Sequence, residues 1–562
     1  MPIPKEILSV HRPKSTRVRQ SGKRWLVIKT TSQRIPGRKN PKCIELGTIG
    51  EIVNGVYREI RKEPRKSKET KLRIIDIKDY GQVAICNKLG EGLFDDLNSV
   101  YDADDAKRIY IIALLRAAYP DIRDRDLKFR YETSYLSEMY QGVALSENSV
   151  TAFLEKIGMN SNKIKQFMQN RMNASEDDTK VVDGVLKSNN SITNCFSEFS
   201  KKGKIKGSRN ISIMYSYSLN KQEPVACRIY PGNMLDLRSI KDFLEYCNSK
   251  GEGEFKWKTF KTINQVELFI PENMIMGDKG FTTKEVLEYL DENKIPYLLP
   301  LKLDSTYITN YGMNDDFCDY LNDYDKSTIF YKKVKMEDGR FLYAFRDLNI
   351  ERIQKIAYIN CQTSKNTYNE QSYKAKSKEF GLIVFISNAN LAPIVAYLCY
   401  KNRWDIEPIF HFNKTILDLD TVNVQGDYRL YASEFISFIA SIIGCRIRNK
   451  FNITVLRKKT LKNLNTSEYQ EDISIDDIIN ATNENDSSEE LEEQVKDNNQ
   501  KKKTKNQKNI YISDEYTYPE VFTHLSKCKC MRNDSTQTWS MVITVKYIEE
   551  LVKALDIPIV NK

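Results

Sequence analysis

The sequence predicts an α/β fold: a sheet-and-helix domain, split by a β-rich insertion, behind a basic N-terminal region that is first β-like and then helical. Three observations carry this. Short apolar runs alternate with helical patterns between residues 180 and 303, in the order strand, strand, strand, helix, strand, helix, strand. A second apolar strand and helix pair follows only after about 80 Tyr-rich residues. The basic charge collects at one end: residues 1–80 hold 21 Lys and Arg against 8 Asp and Glu, while the whole chain of 562 residues carries +11.

In chain order, "RWLVIKTTS", "CIELGTIGEI" and "LRIIDIKDY" give residues 1–90 a basic, β-like character. Residues 91–175 turn helical with "AKRIYIIALLRAAYP", "SENSVTAFLEKIG" and "NSNKIKQFMQNRM". The second of these starts like a capping box at Ser146, and Gly158 suggests a tight turn between two short helices. Such a pair is compatible with a helix-turn-helix reader of DNA or with plain helical packing. The first part of the α/β domain, 176–301, opens with "KVVDGV", an apolar strand ending on Asp183. "SRNISIMYSYSLN" and "EPVACRIYPGN" are two more strands, and "LRSIKDFLEYC" is a helix. "ENMIMGDKGF" is a strand ending on Asp278, "TTKEVLEYLDEN" a Thr-capped helix, and "IPYLLPLKL" a fifth strand. This is the element order of an RNase H-like domain. The insertion, 302–380, reads as β-like in "STIFYKKVKM", "RFLYAFRDL" and "KIAYINC". "FGLIVFISN" and a helix over 391–414 resume the domain, which runs from 381 to 455. Residues 456–509 are a low-complexity linker, acidic and then basic, too polar to order themselves. A C-terminal helical region is expected over 510–562.

The composition narrows the chemistry. A basic end on a near-neutral body suits a polyanion. Eleven scattered cysteines without a C-x-x-C pair and three dispersed histidines exclude a zinc framework and fit reduced thiols in a cytoplasm. The uncharged run 381–400 is long enough to span a bilayer, but "SNAN" and Pro393 divide it into a strand and a helix start, so it is read as a buried soluble element.

"YKNRWDIEPIFHFNK", residues 400–414, sets Tyr400, Arg403, Glu407 and Lys414 at steps of three, four and seven. At about 100° per residue their bearings are roughly 0°, 300°, 340° and 320°, one narrow stripe. Pro408 removes one amide and tends to kink the helix, which loosens the placement of Lys414. Trp404 and His411 lie off the stripe and are read as packing residues. Asp183, Asp278 and Glu407 thus stand at two strand ends and on a helix. Carboxylates so placed suit hard cations, which take oxygen ligands and leave room for phosphate and water. Asp177 and Asp178 are close to the first acid, but only Asp183 ends an apolar strand.

These residues resemble the DDE transposases of bacterial and archaeal insertion sequences, in the superfamily with a Y-x2-R-x3-E-x6-K signature (the insertion-sequence-four group). All four signature positions are present, and "MGDKGF", "VVDGV" and "RIYPGNMLD" resemble the surroundings of its two aspartates. The basic N-terminus resembles a branch with long N-terminal DNA-binding regions. The resemblance implies that Asp183, Asp278 and Glu407 hold two Mg²⁺ ions, with Mn²⁺ as a substitute. It implies that Tyr400, Arg403 and Lys414 grip phosphates at the element's end. The expected partners are double-stranded DNA, as transposon ends and target, and a second copy of the chain assembled on it. The expected setting is a prokaryotic cytoplasm, at the nucleoid. The expected reaction is cleavage at terminal inverted repeats and transfer of the 3′-hydroxyls into target DNA. The alternatives are a domesticated or inactive DNA-binding derivative, or a related nuclease without strand transfer.

Overall fold

The computed structural model describes residues 3–34, 40–60, 76–175, 178–189, 191–200, 207–234, 236–247, 254–261, 267–317, 319–321, 328–403, 421–456, 510–533, 536–545 and 548–560. It divides into two compact units, Met1–Asp76 and Ile77–Lys562.

The first unit is a short helix α1 (Lys5–Leu8) and an antiparallel sheet β1 (Thr16–Ser21), β2 (Arg24–Gln33), β3 (Lys42–Val53), β4 (Val56–Glu59), paired in chain order. Alternation along the strands buries Val18, Val27 and Ile52 on one face. Ile7 of α1, with Ile3, Val10, Trp25 and Tyr57, packs over them. This small core leaves most of the unit's basic side chains exposed.

In the second unit, α2 (Ala103–Ala118), α3 (Glu147–Met159) and α4 (Ser161–Asn173) form the helical region. Asp102 caps α2 by accepting from the Asp105 amide at 3.0 Å. The capping box expected at Ser146 is not formed, because its side chain makes no cap hydrogen bond. Nor does Gly158 make the turn. It lies inside α3, and a Cβ there would meet the Tyr428 carbonyl oxygen at 1.8 Å. Glycine is required for close approach, and the turn falls on Asn160.

The sheet follows: β5 (Lys180–Ser188), β6 (Arg209–Ser218), β7 (Glu223–Pro231), α5 (Asp236–Tyr246), β8 (Ile275–Met276), α6 (Lys284–Glu292), β9 (Tyr297–Pro300), β10 (Ile329–Lys335), β11 (Phe341–Asp347), α7 (Leu348–Ser364), β12 (Leu382–Ser387), α8 (Pro393–Arg403) and α9 (Asp427–Ile453). Five strands lie in the spatial order β7-β6-β5-β8-β9, third, second, first, fourth and fifth in sequence. The first three pair antiparallel and β5-β8-β9 parallel. Both faces of the sheet are covered: nine of the ten residues of β6 are buried, among them the polar Asn210, Ser212, Ser216 and Ser218. Thr283 caps α6, accepting from the Val286 amide at 3.3 Å, as expected of its Thr-rich start.

The insertion strands join this same sheet, which continues β9-β12-β11-β10 with antiparallel pairing and totals ten strands with two short edge pieces. "KIAYINC", expected to be β-like, is helical within α7, because Asp347 accepts from the Asn349 and Ile350 amides and starts a helix directly off β11. A two-stranded hairpin, Trp257–Lys261 with Glu267–Pro271, precedes β8. The C-terminal region is not purely helical. Cys528–Arg532 pairs with Trp539–Ile543 and with Ile77–Asp79 in a three-stranded sheet, so the chain's end returns to the start of the unit. The run 381–400 divides into β12 and α8 as expected. Helix α9 is long and apolar enough to cross a membrane, yet 89% of its most apolar window is buried inside the protein.

Candidate active site

One row of paired residues crosses the sheet. Tyr343 on β11 faces Phe385 on β12, which faces Pro300 on β9. At the other side Asp183 on β5 faces Tyr215 on β6, which faces Cys227 on β7. Strand β8 joins the two halves: Met276 is abreast of both Val181 and Leu298. Strand β8 ends at Met276; continued two residues at the same register, it would bring Asp278 abreast of Asp183 and of Pro300. The Asp278 backbone is still extended, with φ −83° and ψ 163°. Neighbouring strands are about 4.8 Å apart and laterally paired side chains share a face. That register directs Asp183 and Asp278 to neighbouring positions on one face.

The local structure differs from expectation at the first acid. Asp183 is not a strand terminus but the fourth residue of β5, which runs on to Ser188. Asp278 lies two residues past β8 and caps a single 3-10 turn. Each carboxylate accepts from the amide of the next residue, Gly184 at 2.8 Å and Lys279 at 2.7 Å. Asp183 is half-buried and Asp278 exposed. Asp178, by contrast, is buried and accepts from the Ser218 hydroxyl at 2.7 Å and from the Asn220 amide, so its oxygens are spent on structure. Asp177 lies outside the described residues.

Two helices cover this face to either side of the acids. Tyr400 of α8 packs on Phe385 with ring centroids 4.9 Å apart, and Tyr397 packs on Phe345 at 5.2 Å. On the β6–β7 side lies α9, whose Glu434 accepts from Lys187 at 2.6 Å; both side chains are about 5% exposed. Lys187 is four residues beyond Asp183, hence on the same face. Phe385 of the row is thus covered by α8, and Lys187, on the face of Asp183, by α9. Burial pushes the Tyr215 hydroxyl and the Cys227 thiol well up, so these neighbours in the row stay neutral.

Of the predicted phosphate contacts, Tyr400 is 7% exposed with its ring in the core. Arg403 is the last residue of α8, with its side chain outside the described set. Trp404, Glu407, Pro408, His411 and Lys414 also lie outside the described residues. The described chain resumes at Thr421, which bridges Ser188 at the end of β5, and the Val422 amide donates to the Ser188 carbonyl at 2.9 Å. The segment that carries Glu407 is therefore bounded on one side by the helix over the acid row and on the other by the aspartate's own strand. Sequence reasoning missed Lys187, Glu434 and Arg116. Arg116 of α2 donates to the Ser433 carbonyl and the Ser437 hydroxyl of α9 at 2.8 and 2.9 Å. The available signal was charge inside otherwise apolar runs, which buried pairing alone permits.

Among the described residues no three His, Cys, Asp or Glu side chains form a metal-sized group. Two carboxylates reachable by solvent are a donor set for a hard cation such as Mg²⁺. The residues present fit such an ion.

Comparison with known proteins is consistent with this geometry. Residues 192–443 match the family model described as the transposase DDE domain. The match spans Asp278 and the whole of 400–414, begins past Asp183, and supports a DDE transposase. Among solved structures the chain is similar to the piggyBac transposase synaptic complex with hairpin DNA. The identity is 10% and the TM-score 0.34, over 72% of this chain and 90% of that one. No curated protein matches.

Proposed function

We propose that the chain is a metal-dependent DDE transposase with an RNase H-like catalytic domain, acting on the ends of an insertion sequence of the Y-R-E-K group. The observation that carries this reading is the parallel register of β5 and β8, which directs Asp183 and Asp278 to neighbouring positions. The third acid, Glu407, follows α8 in the chain. Strand order β7-β6-β5-β8-β9 supports the RNase H-like assignment, and the family match supports transposition on DNA.

Asp183, Asp278 and Glu407 would hold the divalent ions, two Mg²⁺ in this proposal, with Mn²⁺ as a substitute. When bound, such ions activate the attacking oxygen and stabilise the leaving one at phosphorus. The chain's own contribution is placement. Amides of Gly184 and Lys279 fix the rotation of the two carboxylates, and the sheet fixes their spacing. The Tyr400 ring anchors α8 on Phe385, and Arg403 and Lys414 would contact the phosphates flanking the reacting bond. Arg403 supplies a two-pronged contact and Lys414 a point charge. The basic N-terminal region would bind duplex DNA, and two copies would assemble on paired ends.

The test is cleavage of a duplex bearing the element's end by the full chain. Nicking that requires Mg²⁺ or Mn²⁺, stops with chelator, and is lost in Glu407→Ala with DNA binding retained is the expected result. Metal-independent nicking, or full activity of Glu407→Ala, sinks the assignment.

A further inference from the structure

A cleft is lined by α9 together with residues of α3, α4, α5 and β7. It has a volume of about 270 Å³ and is formed where the α3–α4 turn meets α9, α5 and β7, the last paired with β6 alone among the described strands. Its floor includes Cys227, which ends the acid row two strands from Asp183. Its walls are aromatic: Tyr246 from α5, and Tyr428 and Tyr431 from α9. Two cations share one of those rings, Lys165 with Nζ 5.7 Å and Arg228 with its guanidinium carbon 4.7 Å from the Tyr246 centroid.

The charges are unequally spent. Arg228 is paired with Asp242 at 2.8 Å. Glu434, the one carboxylate among the described residues of the lining, is already neutralised by Lys187. Lys165 has no carboxylate within bonding distance among the described residues. The cleft therefore offers flat apolar walls, an unneutralised ammonium, and the Ser161 hydroxyl at the rim. Aromatic walls take a planar ring by stacking, and a cation at their edge takes a charge carried by the same ligand.

We propose that this cleft binds one nucleotide unit, a nucleobase between the tyrosines with its phosphate on Lys165. The same chemistry comes from two sources, a free mononucleotide or a nucleotide swung out of a DNA strand. The site is separate from the carboxylates, so it does not depend on their catalytic reading.

The experiment uses the full chain with three probes: thymidine 5′-monophosphate, inorganic phosphate, and a duplex with 2-aminopurine opposite an abasic site. The variants are Lys165→Gln, Tyr428→Ala and Ser161→Phe, the last chosen to fill the cleft from its rim. Lys165 is half-buried at the surface and Tyr428 is 50% exposed, so each should melt close to wild type. The expected result is a nucleotide signal weakened about tenfold by Lys165→Gln, fivefold to a hundredfold by Tyr428→Ala, and abolished by Ser161→Phe. A signal from thymidine monophosphate itself identifies a free-nucleotide site; a 2-aminopurine fluorescence change without it identifies an extruded DNA nucleotide. The proposal is overturned if inorganic phosphate binds as tightly as the mononucleotide, or if neither nucleotide signal responds to Ser161→Phe. Asp183→Asn should leave every one of these signals unchanged, which separates failure here from failure of the catalytic reading.

Discussion

Asp183 and Lys187 sit four residues apart on one face of one strand, yet the structure uses them in opposite ways. Asp183 is half-buried, with one oxygen turned by the next amide. Lys187 lies under α9, with its charge sealed against Glu434. The difference is set by the helix that covers Lys187, not by the strand. A charge roofed by a helix must be paired and becomes part of the framework.

The comparison breaks first at Asp183. Asp183→Asn keeps the shape and an oxygen for the Gly184 amide, so its melting temperature should match wild type. Cleavage should fall about a thousandfold or more, some 4 kcal/mol of barrier. A variant that melts early but cleaves in proportion to its folded fraction would move Asp183 into the framework class.

Glu434→Gln tests the other side. It strands the Lys187 ammonium in a site about 5% exposed, which should cost about 3–5 kcal/mol of stability. Lys187→Met with Glu434→Leu removes both charges and should recover most of that loss, because apolar pairs of similar volume replace buried ion pairs at little cost. Denaturant midpoints of the two proteins decide this. A double variant as unstable as the single would show that the charges themselves are needed.

Gly158 gives a smaller effect of the framework kind. A Cβ there would meet the Tyr428 carbonyl at 1.8 Å, so α3 and α9 would have to separate. Gly158→Ala should cost about 1–3 kcal/mol as overpacking, although alanine is the better helix former. A neutral or stabilised variant would mean that the two helices are not in contact in solution.

Legibility followed the range of the interactions. The five core strands could be read because apolar runs and turn residues are local signals: "YPGN" closes β7 and "GDKG" closes β8. Gly158 misled because glycine signals a turn and a close approach with the same letter. "KIAYINC" misled because seven residues with β-like content were embedded in a 17-residue helix whose start is fixed by Asp347. The pairing of 528–532 with 77–79 joins positions some 450 residues apart, and no local pattern announces such a contact. Lys187 and Glu434 belong together only once α9 is laid on the sheet. The neighbouring placement of the two aspartates is not visible in sequence; it comes from the parallel register of β5 and β8.

The gentlest test concerns a second sealed cluster, at the opposite end of the sheet face. Glu223, at the start of β7, is 3% exposed and takes Arg446 at 2.6 and 3.1 Å and Arg171 at 2.9 Å. Burial by itself would raise its pKa, but the hydrogen bonds and charges of Arg446 and then Arg171 outweigh burial and hold the carboxyl below its ordinary value. A depressed folded pKa stabilises the protein above the unfolded value, near 4.3. That stability is lost as pH falls from there through the folded value. Wild type should therefore lose stability progressively on acidification below about pH 5, and Glu223→Gln, already weaker at neutral pH, should lose less over the same interval. If Glu223→Gln and wild type lose stability in parallel, the acid slope belongs to other carboxylates and the cluster is held by packing alone.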